Sequence, residues 1–471
     1  MRTFSISTLG CKVNQYESQQ IREFLERLGL RHICNTESKA DLFIVNTCCV
    51  TSTASAKSRQ FIRRAQKQNP GGTIVVSGCL PAVKTGELRN IGDRVHVIKN
   101  RENLASELAQ ILVDQKFAAK SKAPQKAPRT LVNAEAAVNP ENKGILAERA
   151  DKGKQKKGLF GFGEVGEGTG RVCELQGLSG FSGHTRAFLK VQDGCDGVCS
   201  YCIVRKARPR VYSREAGEIV EEAQRLVDAG HREIVVTGIF LGAYGQETVH
   251  RRKWEGKENP LLAELLQRLA QVEGLARIRL SSLGPGDVTE RLLGVMRGNR
   301  NLMPHLHLSL QSGSERVLRR MCRQYTAGEY VEKVAMANEL LDRPAITTDV
   351  IVGFPGETEG DFEDTVGLAR RAGFAKMHIF PFSARAGTAA AKMQGIVNTE
   401  VMKRRCRELA DVERELGRRF REQFDGEEAM VLVETVGDDG TARGRTERYF
   451  QVPIRGRDVE RNEVVRVKLG G

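Results

Sequence analysis

Three cysteines in one short run carry the strongest chemical signal in this chain. Cys195, Cys199 and Cys202 form C-x3-C-x2-C directly after an apolar stretch, Ala187–Val191, that reads as a strand. Three thiolates in one loop can hold three irons of a [4Fe–4S] cluster, which takes four cysteines when fully ligated. With three, one iron keeps an open position, which separates a reactive metal from a structural one. Gly194 and Gly197 let the loop wrap tightly. Zinc would want a fourth Cys or His, and the one nearby histidine, His184, precedes the strand.

A second set is dispersed. Cys11, Cys48 and Cys79 lie 37 and 31 residues apart, each just past an expected strand: Thr3–Thr8, Asp41–Val45 and Thr73–Ser77. In an open parallel sheet the C-terminal strand ends share one edge, where ligands bind, so the three should converge. Buried cysteines with no common role are the plainer alternative.

The elements that must position these groups alternate. Residues 1–114 give the three strands above and Val95–Ile98, with helical patterns at Tyr16–Leu28, Thr51–Gln68, after Pro81, and Leu104–Asp114. That alternation predicts an α/β domain with an open parallel sheet. Residues 115–183 are rich in Lys, Gly and Ala with little apolar periodicity, and read as a flexible basic insert or linker. Gly161–Gly166 formally spells GxGxxG there, but lacks the flanking strand and helix that a nucleotide site needs. Strand patterns resume at Ala187–Val191, Glu233–Thr237, Arg277–Ser281, His305–Leu310, Ala345–Val352 and Lys376–Pro381, separated by helices such as Glu215–Ala229 and Glu359–Ala372. Six such units predict a partial (β/α)6 barrel with its chemistry at the C-terminal strand ends. A basic helix follows at 401–421, either a solvated face or one turned to RNA. Residues 425–471 alternate apolar and polar and predict a small antiparallel β-barrel.

Composition narrows the partner. The 471 residues carry 74 Lys+Arg against 59 Asp+Glu, a net +15. That balance points to a polyanion, nucleic acid ahead of a membrane surface. No run reaches the roughly 20 apolar residues of a membrane span, and the N-terminus lacks a signal layout, so a cytoplasmic protein is expected. Eleven cysteines in such a chain argue for metal chemistry over a disulfide framework.

C-x3-C-x2-C with Tyr201 before the last cysteine resembles the radical S-adenosylmethionine (SAM) superfamily. The runs Thr8–Glu17 (TLGCKVNQYE), Asn46–Cys48 and Ser77–Cys79 resemble the N-terminal domain of the methylthiotransferases. Leu280–Pro285, Leu308–Ser314 and Asp349–Thr358 resemble the same family's barrel segments, and the C-terminal part is similar to a TRAM domain, which binds RNA. Lys12-Val13-Asn14-Gln15-Tyr16 and Lys57–Gln60 are similar to the MtaB-like group, which acts on N6-threonylcarbamoyladenosine in tRNA.

The resemblance covers residues 1–114 and 184–471 and implies a methylthiotransferase domain at 1–114, a radical SAM domain at 184–424 and a TRAM-like domain at 425–471, with the insert at 115–183 outside it. It implies two [4Fe–4S] clusters. One, on Cys195, Cys199 and Cys202, would generate a radical from SAM. The other, on Cys11, Cys48 and Cys79, would carry or donate sulfur. The product would be a methylthio group at C2 of the adenine at position 37, beside the anticodon. A C–H bond of that kind has no useful pKa, so a cofactor must carry the chemistry. Implied partners are tRNA, an electron donor such as flavodoxin or ferredoxin, and a sulfur donor. Gly238, Ser282, Gln311 and Asp349 lie near strand ends and are candidates to hold SAM, with turn and hydrogen-bonding roles as alternatives. His307 and His378 read as core or strand residues.

Three departures from the family pattern stand out: Gly284 where an acidic residue is usual, Ser383–Thr388 without the usual prolines, and Cys49 beside Cys48 as an alternative ligand. Cys34, Cys173, Cys322 and Cys406 have no assigned role. Rival activities are methylthiolation of isopentenyladenosine or of a ribosomal protein aspartate, and a non-catalytic RNA-binding iron–sulfur or zinc protein.

Overall fold

The computed structural model describes residues 1–33, 40–83, 88, 92, 94–121, 175–254, 258–437, 439–456 and 458–470, with side chains of the helix ending at Ser121 described as far as Asp114. Gly161–Gly166, Cys34, Cys173 and most of the expected insert lie outside these residues.

The first domain runs β1 (Thr3–Thr8), α1 (Lys12–Arg27), β2 (Arg31–His32), β3 (Leu42–Thr47), α2 (Ser52–Gln68), β4 (Thr73–Gly78), α3 (Cys79–Val83), β5 (Val95–Val97) and α4 (Leu104–Ser121). Its strands form one parallel sheet in the order β2-β1-β3-β4-β5. β3 and β4 are buried along their whole length, as central parallel strands covered on both faces must be. Phe4, Ile44 and Val75 pack under Leu104 and Leu108 on one face; Val45, Ile74 and Val76 pack against Ile62 on the other.

The second domain runs β6 (Arg186–Lys190), β7 (Gln192–Asp193), α5 (Val204–Ala207), β8 (Tyr212–Ser213), α6 (Ala216–Asp228), β9 (Glu233–Thr237), α7 (Leu261–Leu269), β10 (Arg277–Leu280), β11 (Ser282–Leu283), α8 (Glu290–Gly298), β12 (His305–Leu308), α9 (Glu315–Arg320), α10 (Ala327–Leu340), β13 (Ala345–Val352), α11 (Glu359–Ala372), β14 (Lys376–Pro381) and α12 (Thr399–Glu422). Two parallel ladders follow one another, β6-β9-β10 and β11-β12-β13-β14. β10 and β11 are one stretch interrupted at Ser281, so all six expected strands form and stand in chain order. Capping is explicit where helices start: Thr358 and Asp361 cap each other's backbone N–H groups at α11, which ends on left-handed Gly373.

Three expectations change. α4 passes residue 114 and continues to Ser121. Residues 175–183, assigned to the flexible insert, are packed: Leu178 and Phe181 are buried with Phe188, Ile219, Ala223 and Leu226. Their apolar side chains make the difference in an otherwise polar segment. The C-terminal strands β15 (Glu428–Val436), β16 (Ala442–Arg445), β17 (Gln451–Ile454) and β18 (Val464–Lys468) form a four-stranded antiparallel sheet in the order β17-β16-β15-β18. Its outer strands are not paired with each other among the described residues, so it is a sheet where a barrel was expected.

The basic helix is largely neutralised. Arg404 and Arg405 pair with Glu359, Arg418 with Glu422, and Arg419 with Glu415. Arg405 is buried and also holds Glu357 at 2.9 Å.

Candidate active site

The dispersed cysteines meet at the C-terminal edge of the first sheet. Gly10 has φ +110°, and a Cβ there would sit 3.1 Å from Cys48 Sγ, so only glycine lets the two loops approach. Cys11 opens α1 with its sulfur capping no backbone N–H. Ser58 of α2 clamps Cys48, accepting from its N–H at 3.2 Å and donating to its carbonyl at 3.0 Å. Gly78 (φ +96°) turns the chain from β4 into Cys79, and a Cβ there would strike Thr47 O at 2.4 Å. Asn14 is the hub. Its amide donates to Leu9 O at 2.8 Å and Thr47 O at 2.9 Å, and its Oδ1 lies 4.0 Å from Cys79 Sγ.

Burial pushes the Cys11 thiol up against the pull of Arg208, and raises Cys48 to about 11. Contact with the Cys49 thiol holds Cys79 well below the ordinary value, against burial and with help from Arg208 and Arg101. Cys49 stands against Cys79: it is fully buried, and its thiol lies 3.3 Å from Cys79 O.

The compact set is held by its own loop. At Gly194 (φ +79°) a Cβ would overlap Arg210 O at 1.6 Å. Cys195 N–H donates to Arg208 O at 2.9 Å, and Gly197 N–H points at Cys195 Sγ at 3.4 Å. Ser200 pins the loop to the chain after α9 through Met321 O at 3.0 Å and Arg320 O at 2.8 Å. Arg323 donates to Cys199 Sγ at 3.1 Å and to Tyr325 Oη at 3.0 Å. Burial raises Cys195 to about 11 and Cys202 to about 12, and each feels the charge of its neighbouring thiols.

Both sets suit an iron–sulfur group on chemical grounds: each offers three sulfurs of the soft ligand class such clusters take. Cys49 adjoins the dispersed set beside Cys79 and Cys48.

A buried charged network joins them. The Arg208 guanidinium donates to Glu17 at 2.7 and 2.8 Å, to Asp193 at 2.7 and 2.8 Å, and to Asn14 Oδ1 at 3.1 Å. Lys190 completes the balance at 3.1 Å from Asp193 and 3.6 Å from Glu17. Arg101 donates to Cys79 Sγ at 3.1 Å and to Ala207 O at 2.9 Å. One residue, Arg208, thus touches the hub of the dispersed set with its side chain and the compact set with its carbonyl. Sequence reading missed this network because its partners lie far apart: Arg208 and Glu17 are 191 positions distant.

The barrel interior carries charged groups of its own. At its N-terminal end, Glu233 is surrounded by Arg186, Arg277 and Arg279. The C-terminal domain closes that end: Arg277 and Arg279 donate to the carbonyls of Arg445, Thr446 and Glu447, and Tyr449 stacks on His305 with centroids 4.3 Å apart. Lys12, next to Cys11, lies near enough to affect both His305 and Tyr449. Higher up, Asp349 accepts from His307 at 3.2 Å and His378 at 3.1 Å. Burial pushes the Asp349 carboxyl up, but the two imidazoles hold it well below the usual range. Ile351 and Phe382 pack in one cluster with Tyr201, the residue before Cys202.

The four softer candidates divide. Gln311 has φ +71°, rare for a side-chain-bearing residue, and its backbone brackets Asp349 through Asp349 O and Ile351 N. Ser282 is exposed beside His307 across the ladder. Gly238 adjoins the start of the compact loop: a Cβ there would meet Gln192 at 3.0 Å, and Gln192 donates to Gly194 O at 2.9 Å. At Gly284, where an acidic residue is usual, the backbone N–H donates at 2.7 Å to buried Asp287, which also pairs with Arg251.

Comparison with known proteins places this geometry. Residues 189–369 match the radical SAM superfamily, and residues 3–99 match a family described as Uncharacterized protein family UPF0004. The threonylcarbamoyladenosine tRNA methylthiotransferase MtaB of Bacillus subtilis is 32% identical, covering 100% of this chain and 94% of its own. Its namesake in Chlamydia pneumoniae is 36% identical over 99% and 95%. A tRNA-2-methylthio-N(6)-dimethylallyladenosine synthase of Carboxydothermus hydrogenoformans is 30% identical over 99% and 96%. The fold is shared with the radical SAM methyltransferase TsrM of Kitasatospora setae, at TM-score 0.50 and 13% identity over 81% of this chain and 72% of that one. The chain therefore belongs to the radical SAM methylthiotransferases, in the MtaB-like group.

Proposed function

We propose that the protein methylthiolates C2 of N6-threonylcarbamoyladenosine at position 37 of tRNA. One observation carries this beyond the relatives' names: two cysteine triads, from different domains, are tied together through Arg208. Cys195, Cys199 and Cys202 would hold one [4Fe–4S] cluster, and Cys11, Cys48 and Cys79 a second. A cluster with an open iron, together with SAM, supplies one-electron chemistry at an unactivated C–H bond.

The chain's own residues bind and orient. Arg323 holds the Cys199 sulfur, and Asn14 ties the ends of β1 and β3 together beside Cys79. Gly238, Ser282 and Gln311 would border SAM. The division into a methylthiotransferase part, a radical SAM part and a C-terminal RNA-binding part of the TRAM kind fits this role. So do a reduced flavodoxin or ferredoxin as electron donor, a separate sulfur donor and a cytoplasmic location. Among the described residues, no helix is long and apolar enough to cross a membrane.

Nucleoside mass spectrometry of bulk tRNA, with and without the gene, tests the substrate. Loss of the 2-methylthio form with accumulation of threonylcarbamoyladenosine is expected. An unchanged level of that nucleoside, with loss of the isopentenyl counterpart, would overturn the substrate and keep the chemistry.

A further inference from the structure

The barrel interior holds a group that neither triad uses. His307, Asp349 and His378 stand on the adjacent strands β12, β13 and β14. His307 is fully committed: Nδ1 meets Thr347 Oγ1 at 3.0 Å and Nε2 meets Asp349 at 3.2 Å. His378 is not. Its Nδ1 is held by Asp349 at 3.1 Å, while its Nε2 has no hydrogen-bond partner among the described residues. Its side chain is 48% exposed, against 12% for His307. A carboxylate on Nδ1 fixes the ring and leaves Nε2 as the outward polar group. A ligand carboxylate meeting that nitrogen would bring the second ring proton with it and form a charge-assisted hydrogen bond.

A neighbour narrows the ligand. Phe380, two residues on and on the same strand face, is 43% exposed. An exposed aromatic beside a polar group is how proteins hold an unstacked base. A base that carries an anionic substituent would use both the stacking face and the outward Nε2.

We propose that His378, oriented by Asp349, reads the carboxylate of the threonylcarbamoyl group, with Phe380 as the face on which the adenine stacks. Given the substrate proposed above, this names the residue that separates it from isopentenyladenosine, whose N6 substituent carries no acceptor. Asp349 is then a positioning residue, both its oxygens taken by imidazoles.

The test uses the full-length, cluster-loaded enzyme and three anticodon stem-loop RNAs. One carries threonylcarbamoyladenosine, one its methyl ester, one isopentenyladenosine. For the wild type, KM for the acid should lie well below KM for the ester. His378→Ala should raise KM for the acid on the order of tenfold to a hundredfold, the loss of one charge-assisted hydrogen bond. KM for the ester should stay put, so the acid-to-ester preference collapses. His378→Gln, which keeps a donor, should recover part of it. Equal KM increases for acid and ester in both variants, with iron content at the wild-type level, would mean a structural role and overturn the proposal. So would an unchanged preference. A wild type active only on the isopentenyl RNA would instead overturn the substrate itself, a separable outcome.

Discussion

The two cysteine triads solve one problem in opposite ways. The compact one spans eight residues and is shaped by its own loop, through Gly194 and the Cys195 and Ser200 backbone anchors. The dispersed one is assembled by a whole sheet, with Gly10, Gly78, Asn14 and Ser58 as its fittings. A local site depends on a few backbone angles. A distributed site depends on every strand arriving in register.

The sharpest way to separate them is Gly194→Ala. The new Cβ meets a backbone carbonyl at 1.6 Å, which nothing flexible can relieve. A local cost above about 4 kcal/mol is expected. Iron per chain should fall by about half after reconstitution, with the Cys11 triad retained. Loss of all iron would show that the triads do not fold independently.

Next in size is Arg208→Met, which should fuse the two outcomes. It leaves Glu17 and Asp193 buried without their main partner, a loss of about 3–5 kcal/mol. Thermal unfolding should drop and both triads should lose iron. Arg208→Lys should recover only part, since an ammonium cannot span two carboxylates and an amide.

A moderate effect concerns the closed end of the barrel. Burial pushes the Glu233 carboxyl up, but Arg279, Arg277 and Arg186 outweigh it and hold it below the ordinary range. Its stabilising contribution is complete above the unfolded pKa of about 4.3 and is lost as pH falls through the lower folded value. Melting temperature should therefore decline in acid, and Glu233→Gln should flatten that part of the curve while lowering stability at neutral pH.

The smallest effect is Cys49→Ser. The side chain sits in the core behind Cys79. A cost of about 1 kcal/mol is expected, with iron content unchanged. A loss of iron would place Cys49 in the ligand set.

The same contrast explains what could be read from the chain. The compact triad was visible in spacing alone. Convergence of the dispersed triad followed from strand order, because β1, β3 and β4 are adjacent in the sheet. Long apolar strands such as Glu233–Thr237 and Ala345–Val352 appear with the expected bounds. Two-residue strands, Arg31–His32 and Gln192–Asp193, were missed because pairs that short have no periodicity. The C-terminal alternation located the strands, but the barrel expected with them does not close among the described residues, since period 2 fixes faces and not which edges meet. His307 and His378, read as ordinary strand residues, prove to share Asp349 across three strands, a relation that only register reveals.

The closed N-terminal end of the barrel limits what can enter. Arg279 is 1% exposed there, and Tyr449 lies flat on His305. Arg277 and Arg279 fasten that end to the carbonyls of Arg445, Thr446 and Glu447. On the function proposed above, a base swung out of an RNA loop would come in from the opposite strand ends, where the cysteines stand, with its sugar and phosphates left outside.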